Sequence, residues 1–244
     1  MAQLYLIRHG QASFGSQNYD QLSELGAQQA TQLGNWWAQR DLNIHRIVTG
    51  ALHRHQQTAV ACIAGLRGQE SSEVETTGWH MDAGFNEYHH HEVLARHVPE
   101  FDDPAEVKRF LTSKPDAGRA FQDIFSAAVA RWMSGQHDAE YTETWHAFQQ
   151  RCIRAFQQQL ALDDGAKNIA IFTSGGTISA ICQHVLGIPD AKFSELNWSL
   201  VNTGVTRIHV QPGRDGHHNR FALAYLNNFS HLEILNNPKC ITYV

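Results

Sequence analysis

The chain has 244 residues, 42% of them hydrophobic and 18% charged, so it can bury a sizeable core and is not dominated by disorder. Nineteen Lys and Arg against 24 Asp and Glu give a formal net charge of −5. Phosphate backbones demand clustered cations, and the absence of any basic run argues against nucleic acid as a partner. An anionic ligand has to find its positive charge locally, in a pocket.

Taken in chain order, Leu4 to Ile7 is a short apolar run of β-formers that ends at Arg8-His9-Gly10, which predicts a buried strand entering a loop. The run is too short for a signal peptide and has no basic residues ahead of it. Ser23-Glu24-Leu25-Gly26 opens a helical pattern through Trp37, Arg46 to Thr49 reads as a second strand, and Ala51 to Leu66 as a second helix. From about 92 to 146 the patterns are helical, as in Glu106 to Leu111 and Phe121 to Met133, with no flanking linker; this predicts a helical insertion that could act as a lid. A helix over Thr142 to Leu162 leads to the strand Asn168 to Thr173. Ser174-Gly175-Gly176 reads as a tight turn before a helix over Thr177 to Leu186. Val205 to Val210 and Phe221 to Leu226 read as two closing strands, joined through Pro212 to Gly216 and pairing as an antiparallel edge.

Strands alternating with helices predict an α/β fold, a mostly parallel sheet with helices on both faces, as a single domain over 1–244. The four cysteines form no C-x-x-C pair, and Cys62 and Cys182 fit buried apolar positions. No window approaches the ~20 apolar residues of a membrane span. These features predict a cytoplasmic protein without a membrane partner, and no pattern fixes its oligomeric state.

In such sheets ligands bind beyond the carboxyl ends of the strands. Three marked segments fall there: Arg8-His9-Gly10, Thr49 to Thr58, and Thr173 to Thr177. Arg8, Arg54 and the Gly-Gly helix start with Gly175 would together make a phosphate cradle. A histidine among arginines resists protonation and keeps a lone pair that can attack phosphorus. Glu87, in Phe85-Asn86-Glu87-Tyr88, offers the carboxyl that protonates a leaving group.

Leu6-Ile7-Arg8-His9-Gly10 resembles the signature of the histidine phosphatase superfamily, which includes the phosphoglycerate mutases. Ala51 to Ala59, Phe85-Asn86-Glu87 and Ile169 to Ile178 resemble its further motifs in family order. Asp20 to Gly26 and Asn202 to Thr206 are similar to its accessory stretches. The resemblance implies a phosphatase acting on a small-molecule phosphate ester or a phosphoprotein, without metal or cofactor. It assigns His9 as the nucleophile forming a phosphohistidine, Arg8 and Arg54 as phosphoryl ligands, and Glu87 as acid and then base.

The sequence also departs from the family. Ser174 stands where a second catalytic histidine is usual, and His53, His90, His91 and His231 are candidates to replace it. Ala12 and Gly15 stand where mutases and sugar bisphosphatases carry Ser or Thr and Asn, which argues against a mutase. Two further readings stay open: a phosphate-binding or regulatory protein with little turnover, and a serine hydrolase using Ser174 with His231 and Asp190 or Asp215. His89-His90-His91-Glu92 does not give the H-E-x-x-H pattern of a zinc site, since Ala95 occupies the second histidine's place. His217 and His218 fit a surface turn.

Overall fold

The computed structural model of the chain describes residues 2–13, 20–113, 115–213 and 219–243. Gly15, Asp215, His217 and His218 lie outside them. Among the described residues six strands form one sheet: β1 (Ala2–Arg8), β2 (Arg46–Thr49), β3 (His80–Met81), β4 (Asn168–Thr173), β5 (Val205–Pro212) and β6 (Asn219–Asn228). Their spatial order is β3-β2-β4-β1-β5-β6. β3, β2, β4 and β1 run parallel, while β5 and β6 add an antiparallel edge.

Nine α-helices accompany the sheet among these residues: α1 (Glu24–Ala38), α2 (His53–Arg67), α3 (His90–His97), α4 (Pro104–Thr112), α5 (Ala117–Met133), α6 (Trp145–Ala161), α7 (Gly175–Leu186), α8 (Phe193–Ser199) and α9 (Ser230–Glu233). Alternation along the strands sorts side chains into two cores. Tyr5, Ile7, Ala170 and Phe172 face one side, where Leu33 and Trp37 of α1 and Cys62 and Ile63 of α2 cover them. Leu4, Leu6, Ile169 and Ile171 face the other, under Trp132, Phe148, Cys152, Ile178, Cys182 and Phe193. The expected α/β fold with helices on both faces is therefore present.

The segment predicted as an insertion contributes directly to the second core. Trp132 of α5 is buried against Tyr88, Trp145 and Phe148 at ring separations of 4.9, 5.2 and 5.6 Å. Through Tyr88, this aromatic cluster anchors the backbone beside Glu87. The expectation of a tight turn at Ser174-Gly175-Gly176 is corrected: α7 starts at Gly175, with Ser174 at its N-cap position. Glycine at these two positions leaves room for neighbours, since a Cβ on Gly175 would collide with Asn197 and one on Gly176 with Glu87. β3, α8 and α9 lie outside the predicted elements; each is short.

Behind the strand ends, Thr203 adopts φ of 60°, a left-handed conformation that a β-branched residue rarely enters. Its N–H reaches the carbonyls of Arg8 at 3.0 Å and His9 at 3.3 Å. Its hydroxyl donates to the Asn202 carbonyl at 2.6 Å, so the 2.8 Å contact with His231 is a donation from His231 Nε2–H. His231 is thus a neutral strut, and burial lowers its pKa from 6.5 to about 3. Above pH 6.5 its contribution to stability is fully present. As pH falls from there toward 3 the unfolded chain binds a proton that the native state refuses, so stability declines by about 1.4 kcal/mol per pH unit for such a group. Urea unfolding between pH 6.5 and 5 is expected to show His231→Gln, which keeps the donor but does not titrate, with a slope shallower by about one proton. Equal slopes in the two proteins would contradict the strut.

Candidate active site

The site is built from loops at the carboxyl ends of β1, β2 and β4, three adjacent strands. β1 and β4 pair with Arg8 opposite Thr173, and the His9 N–H continues the ladder to the Thr173 carbonyl at 2.8 Å. His9 and Ser174 therefore leave the sheet side by side. The loop after His9 crosses the start of α1 so closely that a Cβ on Gly10 would collide with the Gly26 carbonyl, and one on Gly26 with Gln11. Gly10 N–H also donates to Thr58 Oγ1 of α2 at 3.0 Å, while that hydroxyl donates to the Arg54 carbonyl at 2.6 Å. These contacts tie the β1 loop, α1 and α2 together.

His9 is buried, and its Nδ1 lies 2.8 Å from the Gly10 carbonyl. A carbonyl only accepts, so Nδ1 carries the proton and Nε2 keeps its lone pair. Asn202 Nδ2 donates to the His9 carbonyl at 3.0 Å and fixes the backbone. Burial, then Arg54, Arg8 and His55, hold the His9 pKa well below its ordinary value. The Arg8 guanidinium donates to the Leu200 carbonyl and passes Gly175. Arg54 donates to Asp20 at 2.9 Å, which supplies a counter-charge for a residue that is only 5% exposed.

Glu87 retains some exposure, yet desolvation of its carboxyl raises its pKa. The N–H groups of Gly176 and Tyr88 and the charges of Arg54 and Arg8 oppose that rise. Gly176 N–H donates to Glu87 Oε2 at 3.1 Å. This helix-start donor therefore serves Glu87, where the sequence suggested an open anion site. The structure brings Arg8, His9, Arg54, Glu87, Ser174 and Gly175 to one place. Gly175 packs close to Asn197, where a Cβ would collide with its side chain.

Ser174 is fully buried and does not cap α7. Its Oγ lies 2.6 Å from Nε2 of His55, a residue absent from the candidates read in the sequence. Of those candidates, His53 is exposed, His91 contacts the Asp102 carbonyl from an exposed position, and His231 supports Thr203. His90 lies in the field of Arg54, and burial, with that charge, lowers its pKa to about 4. Among the described residues the serine-hydrolase triad is not assembled: His231 holds Thr203, and Asp190 accepts from Trp145 at 2.9 Å and Gln149 at 2.9 Å. Among the described residues no group of three or more His, Cys, Asp or Glu is arranged to hold a metal ion. No helix of the described residues is long and apolar enough to cross a membrane.

A cavity of about 460 Å³ opens beside the His9 loop, lined by Gln11, Gln122, Trp198, Thr242 and Tyr243. Thr242 donates to Asn202 Oδ1 at 2.9 Å, which links this wall to the His9 backbone. Phe125 of α5 meets Trp198 edge-on at 5.6 Å.

The chain is similar in structure to a phosphoserine phosphatase from Entamoeba histolytica, in complex with phosphoserine, at 17% identity and a TM-score of 0.58 over 95% of this chain and 100% of that one. A mycobacterial glucosyl-3-phosphoglycerate phosphatase, in complex with inorganic phosphate, gives 20%, 0.58, 95% and 99%. A phosphoglycerate mutase from Bacillus anthracis gives 17%, 0.58, 97% and 97%. At these identities the likeness is one of fold. No curated protein matches the sequence. The profile of the histidine phosphatase superfamily (branch 1) matches residues 4–126 and 115–220, and with the Arg8-His9-Gly10 loop seated among Arg54, Glu87 and the β4 end, the chain belongs to that superfamily.

Proposed function

We propose that the protein is a phosphatase that hydrolyses a phosphate monoester through a phosphohistidine on His9. The observation that carries this reading is the Nδ1–H bond from His9 to the Gly10 carbonyl, which leaves the Nε2 lone pair available in a pocket of arginine charge. Nε2 attacks phosphorus in line as the ester oxygen departs, and Arg8 and Arg54 stabilise the charge on the phosphoryl oxygens. Glu87, whose raised pKa favours the protonated carboxyl, gives its proton to the leaving oxygen. The resulting carboxylate then takes a proton from water as that water attacks the phosphohistidine, and the cycle closes with inorganic phosphate. A protein that merely bound phosphate would need neither a histidine held in one tautomer nor an acid with a raised pKa.

Hydrolysis of an aryl phosphate in excess chelator is expected for the native protein and to fall at least ~10³-fold in His9→Ala. Glu87→Gln is expected to cost ~10²–10⁴-fold with an alkyl phosphate and less with a nitrophenyl ester, whose leaving group needs no proton. Unchanged turnover in His9→Ala would sink the mechanism.

For the substrate, the described residues lining the adjoining cavity carry no formal charge but present two amides and two aromatic rings. This supports a monoester whose remainder is uncharged and has a flat face, in a space that α5 of the helical segment helps to wall, the lid role proposed for that segment. Trp198→Ala is expected to lower kcat/KM for an aryl phosphate ~10-fold while leaving the affinity for inorganic phosphate within about twofold. If phosphate affinity fell in step with kcat/KM, the cavity would not be a site for the leaving group.

A further inference from the structure

His55 has no part in the machinery just described, and its arrangement with Ser174 is not that of ordinary buried side chains. An N-cap serine normally accepts a hydrogen bond from the first turn of its own helix. Ser174 makes no such bond and meets His55 Nε2 instead, across 119 residues of sequence, at 2.6 Å. Both residues are fully buried. The His55 ring lies 5.7 Å from the His9 ring, centre to centre, and space for it is provided by Gly50, where a Cβ would collide with His55 Nδ1.

The direction of the bond follows from what is left over. His55 Nδ1 has no hydrogen-bond partner among the described residues. If the serine donated to Nε2, the imidazole proton would sit on Nδ1 as a buried N–H facing no acceptor, a costly and rare condition. The tautomer with Nε2–H, which donates to Ser174 Oγ, moves the orphan donor from Nδ1, packed against Gly50, to the Ser174 hydroxyl, where an incoming ligand can meet it. The serine's own proton then finds no acceptor among the described residues. Ser174 follows Thr173, whose register partner is Arg8, so this hydroxyl lies next to His9 at the sheet's end. A buried O–H without an acceptor, beside the proposed nucleophile, points to an acceptor that arrives with the ligand.

We propose that Ser174 donates its hydroxyl hydrogen bond to an oxygen of the phosphoryl group on His9, and that His55 is the positioning residue that turns the hydroxyl toward it. This rests on the proposed phosphatase reading and deepens it: a histidine on α2, acting through a serine, meets the requirement that the family usually meets with a histidine at residue 174. No proton leaves either residue in this role, and both bonds are donated throughout.

The test uses the full-length native protein, His55→Ala, His55→Gln, Ser174→Ala and the double variant His55→Ala/Ser174→Ala. Each is measured for aryl phosphate hydrolysis and for calorimetric binding of orthovanadate, a mimic of the pentacoordinate phosphoryl group. Ser174→Ala is expected to lower kcat ~10²-fold, the scale for one lost donor to a charged transition state, with little change in KM. His55→Ala should approach that loss, and the double variant should be no worse than Ser174→Ala, since the two act in series. His55→Gln, whose side-chain amide can donate from nearly the same place as Nε2, should recover most of the activity. Vanadate affinity should follow kcat across the series. Multiplying losses in the double variant, or His55→Gln as impaired as His55→Ala, would overturn the inference, and a purely structural role would give that second pattern. Full activity in His55→Ala alongside an inactive His9→Ala would remove His55 while leaving the phosphatase reading intact. A native protein that neither turns over nor binds vanadate would remove both.

Discussion

The parallel pairing of β1 with β4 is the constraint on which the rest of the site depends. It sets Arg8 against Thr173 and carries the ladder one step further through the His9 N–H. Two loops that are far apart in sequence are thereby forced to leave the sheet together, and β2 on the other side of β4 brings α2 to the same edge. Because the strands are buried on both faces, a slip by one residue would turn both cores inside out. The positions of His9 and Ser174 are therefore maintained by the whole packing of the sheet, not by local turns.

Around that edge, burial and charge act in opposite directions on different groups. Arg8 and Arg54 stay charged at low exposure because a backbone carbonyl and Asp20 replace part of their hydration. The same burial keeps His9 and His55 uncharged and favours the neutral carboxyl of Glu87. The pocket thus combines fixed positive charge with neutral donors and a lone pair, an environment that fits the proposed phosphoryl group, whose charge shifts among its oxygens. Asp20 gives the site a resident anion, so a phosphate bound as proposed would share or take over its bond to Arg54.

Much of this was legible in the sequence because it is carried by short-range patterns. The apolar runs at Leu4 to Ile7 and Asn168 to Thr173 announce buried strands, and Ser23 and Thr144 cap helices close to where periodicity begins. β3 escaped notice because two residues carry no period. The start of α7 differs from the expected turn because Gly175 and Gly176 are there for space: a Cβ on the first would collide with Asn197 and one on the second with Glu87 and Tyr88, contacts that no local pattern states. His55 was missed for a different reason. Its signal depends on β2 and β4 being neighbours, so that the helices after them begin side by side, and strand order is a long-range property that no local pattern states. His231, by contrast, was placed near the pocket by chemistry alone, and the fold assigns it to the support of Thr203.

The two-layer core has a practical corollary through its cysteines. Cys62 lies in the layer formed with α1 and α2, while Cys152 and Cys182 lie in the layer on the opposite face. Burial pushes the Cys152 and Cys182 thiols up to about 12 and raises Cys62 as well, so the reactive thiolate is scarce in all three while the chain is folded. An alkylating reagent reaches them only when the layer above opens. Each side of the sheet therefore contains its own chemical clock, and the order in which the three thiols become labelled would distinguish a molecule that opens as a whole from one that sheds its helical layers separately.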